Sequence, residues 1–190
     1  MTSQANPEDS PAPDGASTAT AHSSSAHQNE RTFFGHPFGL ANLSGVEMWE
    51  RFSFYGLQAL LAYYLYYTVA DGGLGMEKST ALSIVGAYGG LVYLTGVAGA
   101  WVADRILSAE RTLFYSAVLV MLGHISLALL PGYVGVTLGL VFIAVGSGAL
   151  KTTSQVVLGS LYSHDDPRRD GGFSIYYMGV NIGGLLGPLI

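Results

Sequence analysis

Cysteine is absent from the 190 residues. That excludes disulfides, thiolate metal sites and a cysteine nucleophile, and leaves the redox compartment open. Charge is scarce as well: 11% of residues are Asp, Glu, Lys or Arg, against 49% hydrophobic. Soluble domains run near 25% charged residues. The formal net charge is -5 and the eight basic residues form no cluster, which argues against nucleic-acid binding. Catalytic signatures are also missing. There is no metal-ligand cluster, nucleotide-binding loop or Gly-x-Ser-x-Gly elbow, and Gly-Ser-Gly at 146–148 lies inside an apolar run. An enzyme is the least expected reading, and no metal or cofactor is expected.

What the chain does have is long apolar stretches, with a mean hydropathy of +0.38. Five segments stand out, near 37–68, 79–103, 111–130, 133–161 and 171–190. Each approaches or exceeds the ~20 residues a membrane-spanning helix needs, whereas a barrel strand needs only about 9–11. The connections "DGGLGMEK", "DRILSAE", "PGY" and "SHDDPRRDG" carry helix breakers. The expected fold class is an all-α membrane protein, with antiparallel neighbours because the connections are short. Residues 1–33, rich in Ser, Ala and Pro, read as a disordered tail, with His22 and His27 solvated. They are no secretory signal, having neither a basic start nor an apolar core. Arg31, Arg105, Arg111, Arg168 and Arg169 fall at one end of the segments and only Lys78 at the other. The positive-inside rule therefore puts the tail and the second and fourth loops in the cytoplasm; the expected location is an inner or plasma membrane. The chain stops inside an apolar run, "GGLLGPLI", so residues 34–190 are expected to be part of a larger bundle.

One segment is interrupted by "GVEMWERFSFYG", residues 45–56. At about 100° per helical residue, Glu47, Glu50, Arg51, Tyr55 and Gln58 form one polar stripe. Glu47 and Arg51 have the i,i+4 spacing and order that favour an ion pair. A clasp between helices needs one carboxylate for one arginine, and here a second is surplus. Mid-membrane charge costs roughly 2.5–3.5 kcal/mol on insertion scales. The stripe therefore points to a cavity and to a group that takes up and releases a proton. Lys151, between two apolar arms in segment four, brings the count to two carboxylates against two cations. A protonated site would then accommodate an anionic substrate group. Tyr55 and Tyr93 lie deep enough to hydrogen-bond a polar ligand, whereas Tyr63 to Tyr67 suit an aromatic belt. His124 reads as a packing histidine or a proton relay. Asp104 and Arg105 read as an interfacial pair or a gating latch. Gly179, Gly183 and Gly187 recur at four-residue spacing, as do Gly135 and Gly139, a pattern that lets helices approach closely.

These motifs resemble those of the proton-dependent oligopeptide transporter family of the major facilitator superfamily. "EMWERFSFYG" is similar to the family's E-x-x-E-R-F-x-Y-Y-G, with Phe54 where Tyr is usual. "GAWVADRIL", "GALKTTSQ" and "FSIYYMGVNIGGLLGP" resemble its helix-two, helix-four and helix-five segments. Gln58, Ser108, Thr152 and Thr153 depart from the usual residues and bear on substrate preference. The resemblance implies an N-terminal fragment of a twelve- or fourteen-helix transporter that imports di- and tripeptides with protons by alternating access. It also implies partners: a peptide, the lipid bilayer and a C-terminal bundle of the same chain. Glu47, Glu50, Arg51 and Lys151 would couple the proton. Arg51, Tyr55, Tyr93, Lys151 and Asn181 would bind substrate, and Asp104 and Arg105 would gate. The rival expectations are a relative carrying nitrate or another solute, and a non-transporting membrane binding or assembly protein.

Overall fold

The computed structural model describes residues 32–189. The expected tail up to residue 31, including His22, His27 and Arg31, lies outside the described residues. Thr32 and Phe33 are not tail: they form β1 (Thr32–Phe33), paired antiparallel with β2 (His36–Pro37). The two linking residues, Phe34 and Gly35, both have positive φ, 49° and 80°. That is the requirement of a type I′ hairpin turn.

Five long helices follow: α1 (Gly39–Tyr66), α2 (Lys78–Arg105), α3 (Ala109–Leu129), α4 (Gly132–Ser160) and α5 (Arg169–Leu186). Their ends follow from local chemistry. Beyond α1 the chain turns through Gly72 and Gly75, at φ of 84° and 64°, where a side chain would be strained. Glu77 caps α2, its carboxylate accepting from Ser79 N at 3.2 Å, and the hydrogen bonds from Ser79 hold that carboxyl below the usual range. Leu130 and Pro131 separate α3 from α4, which starts at Gly132 with φ 71°. Among the described residues, α2, α3 and α4 are long and apolar enough to cross a membrane by length and composition. α1 carries three charges in its first half, and α5 begins Arg169–Asp170.

α4 is the axis of the bundle. In its most apolar window 61% of residues are buried, against 22% in α2 and 17% in α3. α2 and α3 both pack on α4, while α5 packs on α1. Large apolar side chains on α3, including Phe114, Met121, Leu122 and Ile125, stay exposed. On a soluble protein that would be an unusually large apolar face; in a bilayer it is the lipid-facing one.

Small residues set the helix spacings. A Cβ on Gly187 would lie 2.6 Å from Phe52 O, one on Gly179 would lie 3.1 Å from Ser44 O, and one on Gly183 would collide with the Met48 carbonyl. The glycine stripe of α5 is thus its seam with α1. Gly139 and Gly123 meet on the α3–α4 seam, but Gly135 faces Leu130 in the preceding turn, not another helix. On the α2–α4 seam, Thr95 Oγ1 donates to Ala144 O at 2.6 Å.

The apolar core is split. One cluster joins Phe54, Leu61, Leu65, Tyr88, Val92, Val136 and Ile143 from α1, α2 and α4. The other joins Leu40, Leu43, Leu158, Tyr162 and Tyr176 at the opposite end. A polar layer on α1 and α4 lies between them. The hairpin closes over the second cluster: His36 Nδ1 is 3.0 Å from Tyr162 OH, and Arg168 Nη1 donates to Gly35 O at 3.0 Å.

Gly183→Val is expected to destabilise the fold by about 1–3 kcal/mol, because the added methyls meet a main-chain carbonyl that cannot rotate away. Gly86→Ala, where a Cβ meets nothing within 4 Å, should be neutral or slightly stabilising. Thermal unfolding of the detergent-solubilised protein compares the two; equal midpoints would refute the role given to the α1–α5 seam.

Candidate functional site

The polar layer is built from residues one and two turns apart on α1 and α4. Glu47, Glu50 and Arg51 have 1%, 6% and 6% of their surface exposed. Arg51 Nε donates to Glu50 Oε2 at 2.5 Å and lies 3.7 Å from Glu47 Oε2. The i,i+4 carboxylate expected to pair with Arg51 is therefore the more distant one, and the adjacent Glu50 takes the direct bond. The guanidinium also stacks 5.2 Å from the centre of the Phe54 ring.

Serines of α4 complete the carboxylates. Ser147 Oγ donates to Glu50 Oε1 at 2.5 Å, and Ser154 Oγ donates to Glu47 Oε1 at 2.5 Å. Ser154 is also 2.7 Å from the hydroxyl of Tyr176 on α5. Ser154 has one hydrogen, and a carboxylate only accepts, so Tyr176 is the donor to Ser154. The chain Tyr176–Ser154–Glu47–Arg51–Glu50–Ser147 thus ties α5, α4 and α1 together. Ser147, Ser154 and Tyr176 were not singled out in the sequence. Their signal was there: Ser147, Lys151 and Ser154 follow i, i+4, i+7 spacing on one face of an otherwise apolar helix.

Electrostatically the cluster has two carboxylates and one guanidinium. Removing charge from water costs several kcal/mol per ion even after relaxation, and the hydrogen bonds above offset part of it. One negative charge remains unbalanced in a layer bounded by two apolar clusters, and a single proton removes it. Among the described residues, Arg51 Nη2 and the hydroxyl of Tyr88 are buried without a hydrogen-bond partner.

The other expected site residues lie outside this cluster. Lys151 Nζ sits 4.7 Å from the centre of the Tyr93 ring and has no carboxylate within 4.0 Å among the described residues. Tyr93 and Tyr55 are 70% and 39% exposed. Tyr55 lies against Gly184 of α5, one turn beyond Asn181. Asn181 lines a shallow cavity of 430 Å³ with Tyr177 and Ile182. Lys151 and Tyr93 are thus brought together, and Tyr55 lies against α5 one turn from Asn181. Asp104 and Arg105 are exposed at the end of α2 and make no ion pair among the described residues.

Residues 110–190 match the sequence profile of the POT family, PTR2. A di-/tripeptide transporter of Lactococcus lactis subsp. lactis is 50% identical over 166 residues, which cover 86% of this chain and 33% of that protein. An uncharacterized transporter of Bacillus subtilis, YclF, is 50% identical over 161 residues, covering 85% and 33%. The crystal structure of peptide transporter POT in complex with sulfate superposes with a TM-score of 0.82 at 47% identity, covering 85% of this chain and 33% of that one. The chain thus spans 33% of the length of the curated relatives it matches.

Ser154→Ala leaves Glu47 Oε1 and the Tyr176 hydroxyl without their shared partner. The expected cost is about 1.5–3 kcal/mol, as for a hydrogen bond to a charged group. Ser160→Ala, whose hydroxyl bonds only the exposed Val157 carbonyl, should cost little. Unfolding midpoints of the two variants in detergent decide it, and a silent Ser154→Ala would contradict the network.

Proposed function

The chain belongs to the POT family, and we propose that it forms the N-terminal part of a proton-coupled symporter that imports di- and tripeptides by alternating access. Its fold is that of the helical major-facilitator-type membrane transporters. The observation that carries the proposal is the buried Glu47–Arg51–Glu50 cluster, two carboxylates on one guanidinium, in a chain half identical to a di-/tripeptide transporter.

The chemistry follows from that charge count. A proton taken by Glu50 leaves the cluster neutral and weakens the hold of that carboxylate on Arg51. The guanidinium, whose Nη2 has no acceptor among the described residues, is then free to bind the carboxylate of a peptide. Lys151 is a second cation on the facing helix. Resting on the Tyr93 ring, it can turn to the same carboxylate. Tyr55, Tyr93 and Asn181 supply hydroxyl and amide groups for the peptide main chain. Release of the peptide restores the Arg51–Glu50 pair and expels the proton. The coupling ion is the proton, no cofactor takes part, and no enzymatic step is involved.

The rest of the site belongs to a C-terminal bundle facing these helices. We place Arg105, Arg111, Arg168 and Arg169 at the cytoplasmic end of an inner or plasma membrane, with the N-terminus on that side, and read Asp104 and Arg105 as gating residues there. Energetically, one pH unit supplies about 1.4 kcal/mol per proton and 100 mV about 2.3 kcal/mol per charge. The sum sustains a gradient of several hundredfold.

The test is uptake of labelled dialanine into liposomes holding the full-length transporter, with and without an inside-alkaline gradient. Gradient-driven accumulation is expected in the parent protein and is expected to vanish in Glu50→Gln, while exchange of labelled for unlabelled dialanine persists. Folded protein that accumulates no dialanine would shift the reading to another solute, and accumulation by Glu50→Gln equal to the parent would remove Glu50 from the coupling.

A further inference from the structure

The two oxygens of the Glu50 carboxylate have different neighbours. Oε2 accepts from Arg51 Nε at 2.5 Å, and Oε1 accepts from Ser147 Oγ at 2.5 Å. A guanidinium only donates, whereas a hydroxyl both donates and accepts. A hydrogen added to Oε2 would point at the Arg51 N–H. A hydrogen added to Oε1 meets the Ser147 oxygen, which accepts it once its own hydrogen has turned aside. α4 offers that hydrogen a place. Serine and threonine hydroxyls in helices donate to the carbonyl four residues back, as Thr153 does to Ala149 O at 2.7 Å. For Ser147 that carbonyl belongs to Ile143. The carbonyl three residues back, Ala144 O, already accepts from Thr95 Oγ1 at 2.6 Å.

The two serines of α4 differ in this freedom. Among the described residues, Ser147 Oγ makes one hydrogen bond, to Glu50. Ser154 Oγ is held by three groups: Glu47 Oε1 at 2.5 Å, the Tyr176 hydroxyl at 2.7 Å and Lys151 O at 3.2 Å. The Ser147 hydroxyl can turn alone, whereas turning that of Ser154 disturbs a bond to α5. Ser147 is fully buried within the helices described, so its contact with Glu50 borders no open face. The charged and titratable groups around Glu50 are Glu47 and Arg51 on α1, Tyr88 on α2, His124 on α3 and Lys151 on α4, with Tyr176 of α5 behind Ser154. A change at Ser147 alters none of them.

We propose that Ser147 is the positioning residue for the proton on Glu50. It donates to Oε1 when the carboxylate is ionised and accepts from Oε1–H when it is protonated. The step balances. The symported proton forms one O–H bond at Oε1. Ser147 keeps its own hydrogen and only rotates, so no other covalent bond forms or breaks. Oε2 is left as a carbonyl oxygen, a weaker partner for Arg51 than a carboxylate. Both protonation states stay hydrogen-bonded in a layer where an unsatisfied polar group is costly. Glu47, whose serine is held by three groups, remains the fixed counter-charge of Arg51. The inference rests on the reading of Glu50 as the proton carrier.

Two measurements test it. The first needs no transport. In the solubilised full-length transporter, infrared difference spectra between high and low pH should show a carboxylic-acid carbonyl band that Glu50→Gln removes. Ser147→Ala should move that band to higher wavenumber, because the acid O–H loses its acceptor. Ser147→Thr keeps the hydroxyl and should leave the band near the parent's. Ser147→Cys, with a weaker acceptor, should fall between. In the second measurement, on reconstituted protein, the pH at which gradient-driven dialanine uptake is half-maximal should rise by about one unit or more in Ser147→Ala, the size of a lost hydrogen bond to a charged group. It should return toward the parent's in Ser147→Thr. An effect of packing would follow side-chain volume, which does not group Thr with Ser. A Glu50 band at the same wavenumber in the parent and in Ser147→Ala would overturn the proposal even where dialanine is transported. A spectrum without any Glu50-dependent band would overturn it together with the reading of Glu50 as carrier. A displaced band in protein that takes up no dialanine would support the role of Ser147 and count against the peptide reading instead. Should Ser147→Ala fail to fold, the bands of Ser147→Cys and Ser147→Thr decide.

Discussion

Everything in this bundle is arranged around three charges with almost no exposed surface. Glu47, Glu50 and Arg51 sit on the first half of α1. An unpaired buried charge is costly enough that each must be matched by a fixed partner. Arg51 and the two α4 serines provide those partners. That requirement forces α4 to lie against α1 in one register, with Ser147 and Ser154 two turns apart at the level of the two carboxylates.

The glycines follow from the same demand. A bond of 2.5 Å between side chains on different helices requires the backbones to be close. On the α1–α5 seam Gly179, Gly183 and Gly187 let Ser44, Met48 and Phe52 approach the α5 main chain, which brings Tyr176 within reach of Ser154. On the other side, Gly96, Gly99 and Gly148 admit α2 to α4, and Tyr93 to Lys151. Packing and charge placement are therefore one problem. The two apolar clusters above and below the polar layer hold its geometry, and the layer's hydrogen bonds fix how the clusters align.

The legible and the hidden parts divide along physical lines. Five helices could be read because apolar runs of spanning length, broken by Gly and Pro, have few other folds. The hairpin escaped: Thr32–Phe33–Phe34–Gly35–His36 has no apolar alternation, and its turn rests on a positive φ at Phe34, which composition does not reveal. On α1, the spacing of Glu47, Glu50 and Arg51 showed the cluster but not its pairing. The i,i+4 rule favoured Glu47, yet the adjacent Glu50 is the nearer partner, and each carboxylate also accepts from a serine of α4. His124 was visible only as a lone polar residue, and its bond to Ser53 of α1 joins positions 71 residues apart.

The sequence by itself determined the medium, the helices and the kind of chemistry. Those depend on composition and on periodicity within one helix, where 3.6 residues per turn bring i+3 and i+4 neighbours together whatever else the chain does. Only the tertiary structure decided which carboxylate holds the arginine, which serines satisfy the carboxylates, and that Lys151 rests on an aromatic ring apart from the cluster. Those outcomes depend on the rotation and register of one helix against another. Many weak contacts along the glycine seams set them, and no single residue's identity encodes them.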